Sequence, residues 1–209
     1  MNISEMLGEY ERDYALAMLG VEDFPYQKLS GKTIVVDGES EYMKFTVCMS
    51  LLALNDKEKL SIKVLMLGNG NELSEKLAER NDFSLCSYEQ AAATEYNFFI
   101  STGICGLELN GTSAEYCRIT NNFARAISTA KSCLERCILL SDYRVSVSYT
   151  HGLVISENEA GFVPFSNNGD MSHTIAVSIE TYFSAYAKQF NLPTIILRSG
   201  ILLGAKAEL

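Results

Sequence analysis

The sequence has little of what several common protein classes require. It contains no run of about twenty apolar residues, so we expect no segment that spans a membrane. Its 17 basic residues are outnumbered by 26 acidic ones, and the net charge of −9 argues against binding to nucleic acid or to anionic lipid. The first residues are acidic and lack an apolar core segment, so we expect no secretory signal and a cytoplasmic location.

Histidine and closely paired cysteines are also scarce. His151 and His173 are the only histidines, and none of the six cysteines forms a CxxC pair. The sequence therefore predicts no metal site and favours reduced cysteines. Cys133 and Cys137 are four residues apart and would share a helix face if the preceding helix extends that far.

Short apolar runs alternate with amphipathic segments along the chain. Strands are predicted at Thr33–Asp37, Ile62–Leu67, Phe83–Cys86, Asn97–Ser101, Cys137–Ser141 and Thr194–Arg198. Helices are predicted at Glu41–Leu54, Glu72–Arg80, Ala114–Leu134 and Ser172–Phe190. Nearly continuous apolar strands are typical of sheets covered on both faces, so the alternation indicates an α/β fold with a doubly wound parallel sheet.

The chain divides into a short extension and one main domain. Residues 1–28 precede the first strand, and residues 29–209 form the predicted domain. The extension carries one apolar helical stripe, so we expect a helix that packs on the domain or on a partner. That stripe consists of Met6, Tyr10, Tyr14, Ala17 and Met18. The segment His151–Asp170 is rich in Asn, Gly and Glu and is predicted to be a long mobile connection.

Three segments carry a resemblance to a known family. LSGKTIVVDGESEYMKF resembles a strand, glycine-rich turn and helix, and CILLSDYRVS resembles a later strand. ETYFSAYAKQFNLPTIILRSGILLGA resembles a helix and strand, with Glu180, Tyr186, Leu192, Pro193, Arg198 and Gly204 in register. The family is the extended short-chain dehydrogenases, which includes the NAD-dependent nucleotide-sugar epimerases and dehydratases. The resemblance implies a Rossmann-like domain with helices on both faces of the sheet, and NAD or NADP as the cofactor if one is used.

The glycine-rich turn departs from the family's pattern. The family has three small residues there, whereas this chain has Gly38 at the first position, Glu41 at the second and Lys44 at the third. Asp37 and Glu39 add further carboxylates, so we expect an anionic turn that repels a diphosphate. Lys44 is either a cation that offsets this repulsion or a solvated helix lysine.

The other cofactor contacts implied by the resemblance are weak. Asn69 follows the second strand, where the family often has an acid or an arginine for the adenosine ribose. Ser87 stands where an acid usually faces the adenine. The full set of positions that the resemblance assigns to a cofactor is Gly38, Ser40, Lys44, Asn69 and Ser87.

The resemblance also implies altered catalytic positions. The family's acid–base tyrosine falls on Ser172, and the lysine that lowers the pKa of that tyrosine falls on Ala176. The family's active serine or threonine falls on Asp142. His173 is a candidate substitute base, with a structural histidine as the alternative interpretation.

The family's helix asparagine falls on Ile119. A shift of two or three residues would bring Asn121 or Asn122 to that position instead. On either alignment no complete catalytic set is present, because the tyrosine and the lysine are both replaced.

These departures predict a degenerate, non-catalytic domain that acts as a partner or scaffold in sugar-nucleotide or polysaccharide metabolism. The alternative is an active or nucleotide-binding epimerase/dehydratase with an unorthodox site built from His173, Asp142 and Lys44. The resemblance implies a homodimer or heteromer formed through helices 114–134 and 172–190. The family's sugar-binding C-terminal portion, which would follow Gly204, is not in this sequence.

Overall fold

A computed structural model describes residues 25–70, 72–146 and 171–200, which are arranged around a six-stranded parallel sheet. The strands are β1 (Thr33–Asp37), β2 (Lys63–Leu67), β3 (Phe83–Cys86), β4 (Tyr96–Ser101), β5 (Cys133–Asp142) and β6 (Thr194–Ser199). Their order across the sheet is β3-β2-β1-β4-β5-β6, and every neighbouring pair is parallel. This is the strand order of the Rossmann fold, and it confirms the predicted doubly wound sheet.

Helices connect the strands and lie on both faces of the sheet. They are α1 (Glu41–Glu58), α2 (Glu72–Leu77), α3 (Tyr88–Ala92), α4 (Ser113–Thr129) and α5 (Met171–Phe190). Side-chain oxygens of Ser40, Ser87 and Thr112 cap the amino ends of α1, α3 and α4, since each accepts a hydrogen bond from an amide of the first turn. Short 3₁₀ helices occupy Tyr26–Leu29, Ala130–Ser132 and Tyr143–Ser146.

Each face of the sheet has its own hydrophobic core. On the α1 face, Ile34 and Val36 of β1 pack with Leu52 of α1. On the α5 face, Val35 packs with a second cluster that includes Phe99 of β4 and Phe183 of α5. The alternation of neighbouring residues between two apolar layers explains why the strands are apolar nearly throughout. Full burial of each such large side chain contributes about 1.5–3 kcal/mol.

Three predicted helix ends are wrong, and the first is that of α1, which ends at Glu58 and not at Leu54. The helix predicted to reach Leu134 ends at Thr129, and β5 already begins at Cys133, where it pairs with Tyr96 of β4. The buried hydrogen bond between the Tyr96 hydroxyl and the Thr129 hydroxyl, 3.0 Å long, holds the end of α4 against β4. Cys133 and Cys137 therefore lie on a strand and do not share a helix face.

The second helix is shorter than predicted, and one helix was missed. The helix predicted at Glu72–Arg80 ends at Leu77, because Arg80 turns back to bond Asp56 and Asp82. The missed helix α3 begins with a capping box in which Ser87 and Gln90 satisfy each other's amides.

Two predicted segments lie outside the described residues. They are the helix expected within residues 1–28, of which the structure describes only residues 25–28, and the connection His151–Asp170. The division into an extension and a main domain therefore stays a prediction. Within the described ranges, none of the helices combines the length and apolar character that a membrane span requires.

Candidate functional site

The turn between β1 and α1 is tied to the turn that follows β4. The Thr102 amide donates to the Asp37 carbonyl at 2.8 Å, and the Glu39 amide donates to the Gly103 carbonyl at 2.9 Å. Gly38 has φ +152°, and a Cβ added there would lie 1.9 Å from the Thr102 Oγ1. The glycine therefore permits close contact between two parts of the protein, and the Glu39 amide is already bonded within the chain.

Both glutamates of this turn are paired with cations. Arg118 of α4 donates to the Glu39 carboxylate, and the Asn122 amide group donates to the same carboxylate at 3.0 Å. The Glu41 carboxylate lies 2.7 Å from the Lys44 amine, one helical turn further along α1. The turn thus presents ion pairs, whereas the sequence predicted a group of unpaired acids.

Lys44 is buried in the first turns of α1, with only 4% of its surface exposed. Its amine donates to the Leu67 carbonyl at the end of β2, over 3.2 Å, and also contacts Glu41. The interpretation of Lys44 as a solvated helix lysine is therefore wrong. The side chain crosses the space between α1 and the end of β2, which a glycine at this position would leave open.

Asp37 is the third acid of the turn and is buried at the end of β1. Burial raises the pKa of its carboxyl to about 6, although the charge of Lys44 and a hydrogen bond from Ser101 act in the opposite direction. The Ser101 hydroxyl donates to Asp37 Oδ2 at 3.1 Å. Asp37 therefore carries a charge that the fold stabilises poorly at neutral pH.

A cleft of about 680 Å³ opens over the carboxyl ends of β1, β2 and β3. Ligands of doubly wound sheets bind at this edge. Its lining includes three acids, Glu39, Glu41 and Glu89, and three bases, Lys44, Arg118 and Arg125. Because these charges balance, repulsion of a diphosphate is weaker than the sequence suggested.

Several predicted cofactor positions have local structural roles. The Ser40 hydroxyl caps α1 by accepting from the Met43 amide at 3.3 Å. The Ser87 hydroxyl caps α3 by accepting from the Gln90 amide at 3.2 Å. Asn69 is exposed on the cleft lining, so it is the predicted cofactor position that remains open to a ligand.

The residues present do not fit a dinucleotide in the arrangement that a glycine-rich turn provides. That arrangement needs small residues at the second and third positions, so that backbone can approach the diphosphate and helix can pack on strand. Glu41 and Lys44 occupy those positions, and their side chains bond each other inside the cleft. The obstacle to diphosphate binding is therefore steric, whereas the sequence predicted electrostatic repulsion.

The predicted catalytic positions are mostly buried. Ser172 and Ala176 lie one turn apart on α5, and both face the interior. Ile119 is fully buried in the α5-face core, whereas Asn122, the shifted alternative, reaches Glu39 in the cleft. Asp142 is the last residue of β5, and its backbone pairs with Ser199.

His173 is held by a backbone carbonyl. Its Nδ1 lies 2.6 Å from the Arg144 carbonyl, so Nδ1 carries a proton and donates to that carbonyl. The Arg144 side chain in turn donates to the carbonyls of Ile104 and Leu107, at 3.1 and 3.3 Å. Arg144 thus joins the loop after β4 to the start of α5. His173 therefore has a structural hydrogen-bond partner.

Two of the three cleft residues of α4, Arg118 and Arg125, were not identified from the sequence, and Asn122 was identified only as an alternative catalytic position. Arg118, Asn122 and Arg125 recur at helical spacing and share one side of that helix. Arg125 also stacks over the Tyr88 ring, with its guanidinium carbon 4.4 Å from the ring centre. Their helical spacing, together with the group of acids in the turn, was the signal that could have identified them.

A second concavity of about 670 Å³ lies at the opposite, amino-terminal edge of the sheet. Arg80 dominates it and pairs with Asp56 at 2.7 Å and Asp82 at 2.8 Å. Because Arg80 is paired with both carboxylates, we interpret this concavity as a structural ion-pair network. Among the described residues, no group of three or more His, Cys, Asp or Glu side chains could hold a metal ion.

The strand order and the cleft at the carboxyl edge define a Rossmann-like α/β fold. No protein-family model matches the sequence, and no curated protein matches it. The chain is similar in structure to a UDP-glucuronic acid 4-epimerase variant from Bacillus cereus, solved with a fluorinated UDP-sugar and NAD, with a TM-score of 0.61 and 14% identity. The match covers 79% of this chain and 55% of the epimerase.

Two further structures share the fold. The UDP-Glc/GlcNAc 4-epimerase from Campylobacter jejuni gives a TM-score of 0.55 at 14% identity, over 80% of this chain and 53% of that one. The enzyme WbmH from Bordetella bronchiseptica, solved with NAD⁺, gives 0.53 at 12% identity, over 80% and 55%. The chain thus spans about half the length of these enzymes, and at such identity the likeness establishes the fold alone.

Proposed function

We propose that this chain is a non-catalytic Rossmann-like domain that acts as a partner subunit in sugar-nucleotide metabolism. One observation carries the proposal: the Lys44 side chain, bonded to Glu41 and to the Leu67 carbonyl, occupies the cleft where the fold would seat a diphosphate. Hydride transfer by a nicotinamide enzyme depends on the bound cofactor, so occupation of the diphosphate position by Glu41 and Lys44 argues against that chemistry.

The catalytic positions support the same proposal. Proton transfer needs a titratable group within hydrogen-bond reach of the substrate. Ser172 and Ala176 stand where the family has its tyrosine and lysine. Both are buried, and neither side chain can serve as the acid or base at neutral pH. The setting in sugar-nucleotide metabolism is supported by fold similarity to UDP-sugar epimerases.

The first prediction concerns the cofactor. Calorimetric titration of the full chain with NAD and with NADP is expected to give no binding heat at millimolar concentration, because Glu41 and Lys44 block the turn. Micromolar affinity would contradict the proposal and favour a nucleotide-binding protein. If heat appears, Arg118→Ala should weaken it when the cleft is the site, whereas Lys131→Ala, which removes an exposed cation outside the cleft, serves as the matched control.

The partner surface in this proposal is the outer side of α4 and α5. Between residues 171 and 187, the single Asp, Glu, Lys or Arg is Glu180, which is buried and bonded twice to Arg198 at 2.9 Å. Val177 and Tyr182 are 36% and 44% exposed on the same helix. An uncharged helix surface with exposed apolar side chains is suited to a subunit contact.

Aromatic rings strengthen this surface. Tyr182, Tyr186 and Phe190 form a row along α5, with centroid separations of 6.2 and 4.4 Å. The Tyr186 hydroxyl donates to the Ser128 carbonyl, which ties the row to α4. Large aromatic side chains on a preordered surface are enriched at protein interfaces.

The partner in this proposal is a second copy of the chain. Each copy carries a net charge of −9, so two copies repel unless they meet through an uncharged surface. The outer side of α5 is such a surface, and a twofold arrangement would bury it against itself.

The second prediction concerns assembly. The chain is expected to sediment at about twice its mass of 23.1 kDa, and Val177→Glu at the monomer mass, because a buried unpaired carboxylate opposes the contact. Asn81→Glu makes the same charge change at an exposed position on the opposite edge of the sheet and should leave the dimer intact. A wild-type monomer at tens of micromolar, or equal behaviour of the two variants, would exclude this contact.

A further inference from the structure

The α1 face of the sheet is covered over only half of its width. Here α1 packs on β1 and β2, and α2 packs on β3. Among residues 25–70, 72–146 and 171–200, no helix packs on the same face of β5 and β6, whereas Phe98 and Ile100 of β4 lie against the α1-face core. The opposite face of these strands is covered by α4 and α5.

Strand register shows which side chains are left open. Val36 pairs with Ile100, Ile100 with Ile138, and Ile138 with Ile195, so these four side chains project from the same face. Val36 is fully buried under α1, Ile100 and Ile138 are half-buried, and Ile195 is 41% exposed. Exposure thus increases with distance from α1.

The next row shows the same gradient. Leu140 pairs with Leu197, and Leu197 is 49% exposed. Parallel strands are normally buried on both faces, so a largely apolar surface of this kind, on which Arg136 beside Phe98 is charged, needs a cover. We call this surface the open face; it consists of Phe98, Ile100, Ile138, Leu140, Ile195 and Leu197.

The chain approaches the sheet beside the open face. Tyr26 and Leu29 of the first 3₁₀ helix pack against the α1-face core. Three residues later, Lys32 pairs with Glu135 of β5, and Glu135 also accepts from the Asn97 amide group at 3.0 Å. The described residues that precede β1 therefore lie at the amino-terminal edge of the sheet, on its α1 face.

Residues 1–24 have the length and pattern to cover that face. Their apolar stripe recurs at helical spacing, whereas Glu5 and Glu9 lie off it. A helix of 18 residues is about 27 Å long, and three strands span about 15 Å, so one helix suffices.

We propose that residues 1–24 form a helix that docks on the open face, with Met6, Tyr10, Tyr14 and Met18 directed towards β5 and β6. Glu5 and Glu9 would then remain in solvent. This docking is independent of the proposed subunit contact, which lies on the α5 face, and each can fail without the other.

Photo-crosslinking in the full-length chain tests the docking. Leu197→benzoylphenylalanine places a photoreactive group on an exposed position of the open face, so the fold should tolerate it. Mass spectrometry is expected to find within-chain crosslinks to peptides from residues 1–24. Tyr182→benzoylphenylalanine, at a similarly exposed position on the opposite face, is the matched control and should give none.

The other possible occupants of the open face give distinct results. Crosslinks from position 197 to residues 201–209, to residues 147–170 or to a second copy, without any to residues 1–24, would overturn the proposal. Equal crosslinking to residues 1–24 from positions 197 and 182 would also overturn it, because that would indicate contact without docking.

A second set of variants tests the apolar stripe. Met6→Ser/Tyr10→Ser is expected to reduce the crosslink yield from position 197 several-fold, because it removes apolar surface from the docked side. Glu5→Ser/Glu9→Ser changes residues off the stripe and should leave the yield unchanged. An equal loss in both double variants, or no loss in the first, would contradict docking through this stripe.

Discussion

Replacing Asp37 by asparagine is expected to stabilise the protein at about pH 7.5 by about 3 kcal/mol. Burial raises the pKa of this carboxyl from 3.8 to about 6, and each unit of difference corresponds to about 1.36 kcal/mol between the two protonation states. Asparagine resembles the protonated acid and keeps an oxygen that can accept from the Ser101 hydroxyl. In a chain of this length the gain corresponds to an increase in Tm of about 6–12 °C.

The sign of the pH dependence follows from the raised pKa. The folded protein holds the Asp37 proton more tightly than the unfolded chain, so ionisation costs stability. This cost is absent below pH 3.8, grows as the pH rises to about 6 and is complete above it. Urea unfolding between about pH 4 and pH 7.5 should therefore show Asp37→Asn gaining its full advantage at the high end and losing it at the low end.

Asp82 supplies a control of opposite sign. Burial raises the pKa of its carboxyl, but hydrogen bonds from Arg80 and Asn55 outweigh burial and hold the pKa below its ordinary value. Asp82→Asn should therefore lower stability at neutral pH, and the loss should disappear as the pH falls through the folded-state pKa. If the Asp37→Asn protein were less stable than wild type at about pH 7.5, the Asp37 carboxylate would be a stabilising group, and the prediction would be wrong.

The fold could be predicted from the sequence because it depends on the local pattern of apolar residues. The strands at Thr33–Asp37 and Phe83–Cys86 have the predicted bounds, and α5 begins within one residue of its predicted start. The end of α4 could not be predicted from the sequence, since it depends on a hydrogen bond between Tyr96 and Thr129 and on the pairing of Cys133 with β4. Both contacts join residues more than thirty positions apart.

Less of the candidate site could be predicted from the sequence, because it too depends on contacts between residues that are distant in the chain. The sequence places three acids in one turn, but the partner of Glu39 is Arg118, 79 residues away. Lys44 is only three residues from Glu41, yet its burial depends on how α1 packs against the end of β2. Local sequence thus identified which groups were unusual, and tertiary packing determined whether their charges were paired.

Removing the Lys44 amine tests whether that lysine holds the turn together. Lys44→Met is expected to destabilise the protein at about pH 7.5 by about 3 kcal/mol. The amine opposes the rise in the pKa of Asp37, so its loss raises that pKa further. Proton uptake limits this part of the cost to about 2 kcal/mol at that pH, and the lost hydrogen bond to the Leu67 carbonyl adds about 1 kcal/mol.

The cost of Lys44→Met should depend on Asp37 and on pH. In the Asp37→Asn background it should fall to about 1 kcal/mol, because the carboxylate that needs the cation is gone. It should also shrink at about pH 5, where Asp37 is largely protonated already. Lys57→Met, at an exposed position of the same helix, should change stability little. A Lys44→Met protein as stable as wild type would instead indicate a lysine kept for a ligand, and the proposed non-catalytic role would fall with it.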